Sequence, residues 1–341
     1  LARLNDNSFL LFAPGVAEAQ LPELAQTLRA HLSSQPLLVR DEEHVHLRAT
    51  IGHASLDAGF EDAGSALEAV ERTALQARLL PEGVAAYVSR EDTTSQEHLA
   101  LLDGQLELAY QPIVAVSGSD TAQYQVLLRL RKNDGTLLSA GQVIPAAEAA
   151  GRISDLDQQV MDYALGLLQL YQHATPPLRL FVSQSSRSLI QAGHADWLLQ
   201  QLEASGAAGA SLVIDVRQED ALIHALSLQE FCASMVPAGV QLCLGQYAAG
   251  DDADALLAQL PLGFVRLAAR YSRQLDEPKV RDEMRGAVER AHRLGLQVIG
   301  QQVEDPQAAA TLWMSGIDYI QGNLVQRVAD ALDFDFHHSV L

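Results

Sequence analysis

Residues 212–247 read "LVIDVRQEDALIHALSLQEFCASMVPAGVQLCLGQY" and contain two short apolar runs separated by an amphipathic stretch. The runs "LVIDVR" and "VQLCLGQY" are largely apolar rather than alternating, which is typical of strands buried on both faces of a parallel sheet. The stretch between them, "ALIHALSLQEFCASM", has the length and spacing of a helix. This segment therefore predicts a strand, a crossover helix and a second, parallel strand.

The same alternation of apolar runs and helical stretches continues from about residue 105 to the end of the chain. The further apolar runs are "LELAYQPIV", "QYQVLLRLR", "LRLFVSQ", "FVRLAARY", "QVIGQQV" and "YIQGNLV". About seven such units over some 235 residues favour an α/β fold of the (β/α)8-barrel type over an open doubly wound sheet. No GxGxxG follows a strand, which argues against dinucleotide binding of the Rossmann kind.

Helix boundaries are marked by residues that favour caps. Gly295 and Gly316 follow helical stretches and predict helix ends, because glycine tolerates the left-handed conformation found there. Asp305 followed by Pro306 predicts a helix start, with an N-cap acid and a proline in the first turn.

The first 90 residues predict a different, α+β arrangement. Two helical stretches, "LPELAQTLRAHLSS" and "ALEAVERTALQARLLPEG", flank the hairpin-like "PLLVRDEEHVHLRATIGHASL". The polar stretch "SREDTTSQEH" that follows predicts a linker or an exposed helix start. We therefore expect a front domain at 1–90, a linker at 91–104 and a barrel at 105–341. The chain begins at Leu1 rather than at a methionine, which predicts that the front domain is incomplete.

The charge and the hydropathy of the chain limit the classes of partner that can be expected. The chain has 43 acidic and 23 basic side chains, a net charge of −20, and no basic stripe, so an extended nucleic-acid surface is not expected. A small anionic ligand is still allowed, because distant charges are screened and a local arginine can dominate. No apolar run is long enough to span a membrane and no signal peptide is present, which predicts a cytoplasmic protein. Cys232 and Cys243 are expected to be buried free thiols.

Short motifs in a fixed order carry a family resemblance. They are "YQPIV" at 110–114, "LLR" at 127–129, "VED" at 303–305 and "IQG" at 320–322. Together they resemble the EAL domain, a barrel family that hydrolyses cyclic di-GMP, and the front segment "ARLNDNSFLLF" resembles the hairpin of a GGDEF domain. The resemblance implies an EAL-type (β/α)8 barrel preceded by a partial GGDEF-like α+β domain.

In the front segment, the residues that stand at the GGDEF signature are Asn5, Asp6, Asn7 and Ser8. A cyclase needs glycines there for close approach of the nucleotide and carboxylates for Mg²⁺. The resemblance therefore implies that this domain does not make cyclic di-GMP.

The barrel departs from the EAL pattern at the positions that hold divalent metals in that family. The residues at those positions are Gln125, Ser183, Asp215, Gly245, Gln246, Ala268 and Gln301, and only Glu304 is retained. Arg266 stands where the family has a lysine that helps to position the attacking water. A two-metal centre needs several anionic oxygens. The resemblance therefore implies a degenerate domain that holds no Mg²⁺ or Mn²⁺, has no catalytic residues and is not an enzyme.

The positions at which the family contacts cyclic di-GMP depart less from the EAL pattern than the metal-holding positions do. The resemblance implies that cyclic di-GMP is bound by Gln111, Gln125, Leu128, Arg129, Asp157, Ser183, Glu304 and Gln321. Arg129 would bind phosphate as a charged fork, and Leu128 would lie against a base or ribose. Gln302 replaces an aromatic residue of a relative, which removes a stacking contact of about 1–3 kcal/mol.

Simpler roles are open for some of these residues. Asp157 is equally explained as an acid in the first turn of a helix. Gln111 and Gln321 are equally explained as buried glutamines that bond the backbone.

The tracts "QVLLRLR", "LRLFVSQSS", "ATLWMSGIDYIQGNLVQ" and "DFDF" extend the resemblance to receptor-type GGDEF-EAL proteins of type IV pilus regulation. This implies a cytoplasmic cyclic di-GMP receptor that acts on type IV pili and twitching motility through a PilZ-domain adaptor. Two alternatives are open: a slow phosphodiesterase that uses Asp215 and Glu304, and a scaffold that binds no nucleotide.

Overall fold

The computed structural model describes residues 1–3, 9–34, 37–39, 43–45, 47, 49–57, 60, 63–77, 80, 82–87, 98–99, 101–118 and 120–336. The chain separates into two compact units, residues 1–95 and 96–341. The predicted signature positions Asn5 to Ser8, and most of the predicted linker, lie outside the described residues.

The front unit has the predicted α+β content. Its elements are β1 (Ala2–Arg3), β2 (Phe9–Leu10), α1 (Leu21–Ser34), β3 (Leu37–Val39), β4 (Glu43–Val45), β5 (Ile51–His53), α2 (Ala63–Ala77) and β6 (Val84–Ala86). The pairs β1–β2 and β3–β4 are antiparallel, whereas β5 and β6 are parallel. A Cβ at Gly52 would lie 2.3 Å from the backbone nitrogen of Ala74, so α2 packs directly on the backbone of β5.

The second unit is built on one sheet of ten strands. They are β7 (Gln105–Pro112), β8 (Val114–Ala115), β9 (Ala122–Arg131), β10 (Leu137–Ser139), β11 (Leu178–Ser183), β12 (Leu212–Arg217), β13 (Gln241–Tyr247), β14 (Phe264–Leu267), β15 (Gln297–Gly300) and β16 (Tyr319–Ile320). Strands β9 and β11 to β16 are parallel neighbours in chain order.

The two strands before this parallel set bring its ends together. Strand β7 pairs antiparallel with β9, and β8 pairs antiparallel with β16. Because β7 and β8 follow each other along the chain, the sheet returns on itself as a nearly closed barrel. The barrel prediction is confirmed, but the run "LELAYQPIV" was expected in the parallel set and instead runs antiparallel to it.

Helices follow the strands of the barrel unit. They are α3 (Ala140–Ala149), α4 (Ile153–Leu170), α5 (Ser186–Leu189), α6 (His194–Ser205), α7 (Gln218–Ile223), α8 (Ala225–Met235), α9 (Asp251–Gln259), α10 (Arg270–Arg273), α11 (Pro278–Arg293) and α12 (Pro306–Met314). The Asp305 carboxylate accepts the Ala308 N–H at 2.8 Å, so the predicted N-cap is confirmed. In the described part of the chain, no helix combines the length and apolar content needed to cross a bilayer.

Two apolar clusters follow from the alternation of side chains along the strands. Leu180 and Val182 belong to the larger cluster, which includes the buried residues of the helices, whereas Phe181 points into the barrel. The interior cluster consists of Ile113, Phe181, Val213, Cys243, Phe264, Ile299 and Tyr319. Cys232 and Cys243 are buried free thiols, as the sequence predicts. The interior cluster is the base on which the polar residues of the barrel rest.

Candidate functional site at the carboxyl end of the barrel

A layer of mostly polar residues lies next to the interior apolar cluster. Side chains two residues apart on a strand share a face, so each strand places its next inward residue in this layer. We call these residues the polar layer: Gln111, Gln125, Ser183, Asp215, Gly245, Arg266, Gln301 and Gln321. Because the carboxyl ends of parallel strands meet at one end of a barrel, the polar layer forms the floor of the barrel mouth.

A buried ion pair lies in the polar layer. The Arg266 Nη2 atom lies 3.0 Å from Asp215 Oδ2, and the two side chains are 2% and 6% exposed. The Arg266 guanidinium also lies 5.6 Å from the centre of the Phe181 ring. Burial raises the pKa of Asp215, and the charge of Arg266 opposes that increase. The carboxylate of this layer is therefore paired with a cation supplied by the protein itself.

Gly245 leaves the space that this arrangement needs. A Cβ at this position would lie 2.4 Å from Asp215 Oδ1, closer than atoms of this kind approach. The side chain of Asp215 thus occupies the volume that any larger residue at 245 would require.

Three glutamines form a hydrogen-bonded group, which we call the glutamine cluster. Gln321, which is 3% exposed, accepts a hydrogen bond from Arg266 Nη1 at 2.5 Å. Its own amide nitrogen donates to Gln125 Oε1 at 2.6 Å and to Gln111 Oε1 at 3.0 Å. Gln111 in turn donates to the backbone carbonyl of Gln326 at 3.1 Å. Three of the predicted site residues are therefore brought together and connected to Arg266.

Gln301 and Ser183 of the polar layer, and Glu304 outside it, are positioned separately from the glutamine cluster. Gln301 is buried and donates to the backbone carbonyl of Leu267 at 2.7 Å. Ser183 is exposed at the end of β11. Glu304 is exposed in the segment between β15 and α12. Among the described residues, no hydrogen bond or ion pair joins Ser183 or Glu304 to the glutamine cluster.

Arg129 lies near the carboxyl end of β9, on the same strand face as Gln125 and Leu127. It is half-buried and pairs in register with Glu107 of β7. Within the described ranges no hydrogen bond or ion pair engages its guanidinium. The side chain is therefore available to an anionic ligand.

The predicted role of Leu128 needs correction. Leu128 is 8% exposed and belongs, with Val126 and Leu130, to the cluster that packs against the helices. Its side chain therefore points away from the barrel mouth. Leu127, which is half-buried, is the leucine that shares a face with Gln125 and Arg129. Counting by twos from Gln125 along the strand is the sequence signal that identifies it.

Asp157 has a clear structural role. It lies in α4, is 7% exposed, and accepts hydrogen bonds from the Ser185 N–H at 2.8 Å and the Ser188 hydroxyl at 2.5 Å. Burial raises the pKa of Asp157 to about 6, although the two hydrogen bonds oppose the increase. The carboxylate thus ties α4 to the segment after β11, and its contact with a nucleotide stays a prediction.

The residues of the floor do not fit the two-metal centre that the EAL resemblance implies. The described residues contain no group of three or more His, Cys, Asp or Glu side chains able to hold a metal ion. The Asp215 carboxylate is paired with Arg266, and the Gln125 oxygen accepts a hydrogen bond from Gln321. Such a centre needs several anionic oxygens. That the chain binds neither Mg²⁺ nor Mn²⁺ stays a prediction.

A barrel that gathers polar side chains at the carboxyl ends of its strands has the architecture of barrel enzymes and ligand-binding barrels. The model of the EAL domain matches residues 96–328, so the chain belongs to the EAL family. The structure is similar to the FimX EAL domain from Pseudomonas aeruginosa bound to c-di-GMP, with a TM-score of 0.65 and 26% identity. That similarity covers 71% of this chain and 98% of the FimX chain.

Several curated relatives are named as cyclic di-GMP phosphodiesterases. Cyclic di-GMP phosphodiesterase NbdA of Pseudomonas aeruginosa is 28% identical over 345 residues, covering 95% of this chain and 44% of NbdA. Cyclic di-GMP phosphodiesterase PdeB of Shewanella oneidensis is 22% identical over 230 residues, covering 67% of this chain and 27% of PdeB. The chain spans about half the length of several curated relatives that it matches.

These relatives overturn one prediction. The chain was expected not to be an enzyme, and this is wrong, because it belongs to a family whose relatives are named as phosphodiesterases. The family match begins at residue 96, so the resemblance of the front unit to a GGDEF domain stays a prediction.

Proposed function

We propose that this chain binds cyclic di-GMP in the mouth of its barrel, as an EAL protein of the phosphodiesterase class. The observation that carries the proposal is the connected glutamine cluster in the barrel floor, with the unengaged Arg129 on the same strand as Gln125. The likeness to the FimX EAL domain, which is bound to c-di-GMP, supports the same location.

The chemistry of the mouth suits a cyclic dinucleotide. Its two phosphates are anionic, and a guanidinium can bind phosphate oxygens through two parallel hydrogen bonds. Glu304 is an exposed acceptor for the N–H groups of a guanine edge. Leu127 supplies apolar surface beside them. The net charge of −20 does not prevent binding, because charges beyond about 8 Å are largely screened.

A calorimetric titration with cyclic di-GMP tests the proposal. It is performed in EDTA and again in Mg²⁺, and the recovered nucleotide is separated by chromatography. We expect saturable binding in the micromolar range or tighter, together with a higher unfolding temperature in the presence of ligand. No heat at tens of micromolar ligand and no change in unfolding temperature would contradict the proposal.

Hydrolysis of the bound nucleotide is the second activity that we propose, since NbdA and PdeB are named as phosphodiesterases. The two carboxylates available for this reaction are the exposed Glu304 and Asp215, and Asp215 would first have to leave its ion pair with Arg266. The expected result is linear dinucleotide that forms with Mg²⁺ or Mn²⁺ and is lost in Glu304→Gln even at nucleotide concentrations that saturate this variant, so that a lost guanine contact does not account for the loss. Glu304 is exposed, so this variant is expected to fold. Product that forms equally in Glu304→Gln would contradict this assignment.

From the sequence resemblance alone, we further propose a PilZ-domain adaptor as the protein partner and type IV pili as the regulated system. Nucleotide would favour the contact between the two proteins. Size-exclusion chromatography with a purified PilZ-domain adaptor tests this proposal. Co-elution that is strengthened by cyclic di-GMP would support it, and separate elution at every nucleotide concentration would reject it.

A further inference from the structure

We propose that Arg266 is a positioning residue. It fixes the direction of the hydrogen bonds in the glutamine cluster, so that the Gln125 side-chain NH₂ is left to donate to a phosphate oxygen of cyclic di-GMP. The inference rests on the proposed nucleotide site. It adds which side-chain atoms of that site donate hydrogen bonds and which accept them, and it names the residue that determines this.

The first step is the contact between Arg266 and Gln321. A guanidinium has only donors, so the atom of Gln321 that faces Arg266 Nη1 at 2.5 Å must be the amide oxygen. The buried charge of Arg266 therefore decides which way the amide of Gln321 is turned. The donor-only chemistry of the guanidinium is sufficient to fix this orientation.

The orientation of Gln321 determines the amide orientations of Gln125 and Gln111. With its oxygen toward Arg266, Gln321 directs its NH₂ at Gln125 and Gln111, at 2.6 and 3.0 Å, and both must present their oxygens. Gln111 is held the same way from its other side, because its nitrogen donates to the carbonyl of Gln326 at 3.1 Å.

The side-chain NH₂ of Gln125 is left without an acceptor in the described part of the chain. The Gln125 oxygen is used by Gln321, and among the described residues no acceptor bonds its NH₂. The side chain is half-buried, so this donor is accessible from the mouth. A phosphodiester oxygen is an acceptor and completes the arrangement without a metal ion. A glutamate at 125 would place a second negative oxygen there and would repel the phosphate.

The variant Gln321→Glu tests the direction directly. A carboxylate at 321 still accepts from Arg266 but cannot donate, so the Gln125 amide must turn its NH₂ toward residue 321 and its oxygen toward the ligand. Gln307→Glu is the matched control. It adds the same charge at the carboxyl end of the barrel, in the exposed first turn of α12 and outside the cluster.

Affinities for cyclic di-GMP are measured in EDTA by calorimetry, with unfolding temperatures for each variant. We expect Gln321→Glu and Gln125→Glu to weaken binding about 10-fold or more, and Gln307→Glu to stay within about threefold. The ¹⁵N-labelled Gln125 side-chain NH₂ is expected to shift in NMR spectra when ligand binds to the wild-type chain.

The outcomes separate the two proposals. Wild-type binding that Gln321→Glu leaves unchanged, or a Gln125 NH₂ signal that does not move on ligand binding, overturns the inference alone. No binding by the wild-type chain overturns the proposed function and the inference together.

Discussion

The guanidinium of Arg266 lies 3.0 Å from the carboxylate of Asp215, and both side chains are almost completely buried in the floor of the barrel mouth. The pair joins β14 to β12, which are separated in the sheet by β13. Each charge offsets the cost of burying the other, so removing one of them leaves an uncompensated charge inside the barrel.

Arg266→Met is therefore expected to lower the free energy of unfolding by about 3–5 kcal/mol. The double variant Arg266→Met with Asp215→Leu is expected to recover most of that loss, because a buried ion pair is about as stabilising as apolar residues of similar size. Urea unfolding followed by circular dichroism measures both variants.

The control is the exposed pair Arg152–Asp155, at 2.5 Å near the start of α4. Arg152→Met should cost less than about 1 kcal/mol, because exposed ion pairs contribute little. Equal losses in Arg266→Met and Arg152→Met would contradict the assigned role of the buried pair.

The second prediction concerns the space beside Asp215. Gly245→Ala would put a Cβ 2.4 Å from Asp215 Oδ1 and push that carboxylate out of its ion pair. We expect a loss of about 1–3 kcal/mol in the free energy of unfolding, as for other overpacked cores.

Gly166→Ala in α4 is the matched substitution, since a Cβ there would meet nothing within 4 Å. It is expected to stabilise the chain by about 0.5–1 kcal/mol, because alanine favours a helix. If Gly245→Ala were as stable as wild type, the contact with Asp215 would not limit residue 245.

The sequence predicted most of the barrel because its strands are apolar runs between amphipathic helices, a local pattern. It did not predict the direction of β7, which depends on pairing with β9 and on closure of the sheet. The helix start at Asp305 and the helix end before Gly316 were predicted, because caps depend on single residues whose backbone requirements are local.

The site was predicted only in part, for a physical reason. The sequence indicated Gln111, Gln125 and Gln321, but it could not show that Arg266 connects to them and to Asp215, since those contacts depend on strand register around the barrel. The two-residue repeat of a strand places Leu127, and not Leu128, on the same face as Gln125 and Arg129.

The third prediction is a pH dependence that arises from Asp157. Burial raises its pKa to about 6 in the folded protein, above the value of an exposed aspartate, so its contribution to stability is present at low pH and is lost as pH rises through about 6. Between about pH 4 and about pH 7, wild type should lose about 2 kcal/mol relative to Asp157→Asn, because the aspartate of the unfolded chain is already about half ionised at pH 4.

The measurement is the free energy of unfolding of both chains across that range. Asparagine keeps an acceptor for Ser185 and Ser188 but does not titrate, so the difference between the chains isolates this carboxyl group from Glu148 and other acids nearby. Parallel pH curves for the two chains would show that Asp157 does not titrate in this range.

The last prediction tests Arg129 as the phosphate anchor. Arg129→Ala should weaken cyclic di-GMP binding about 10- to 100-fold, because a charge-assisted hydrogen bond contributes more than a neutral one. Arg131→Ala is the control: Arg131 is on the same strand but is already ion-paired with Glu107 at 2.5 Å, so its loss should change affinity by less than about threefold. Added salt should weaken wild-type binding more than Arg129→Ala binding, since screening acts on the charge that the variant lacks. Equal affinities of Arg129→Ala and Arg131→Ala would place the phosphate elsewhere in the mouth.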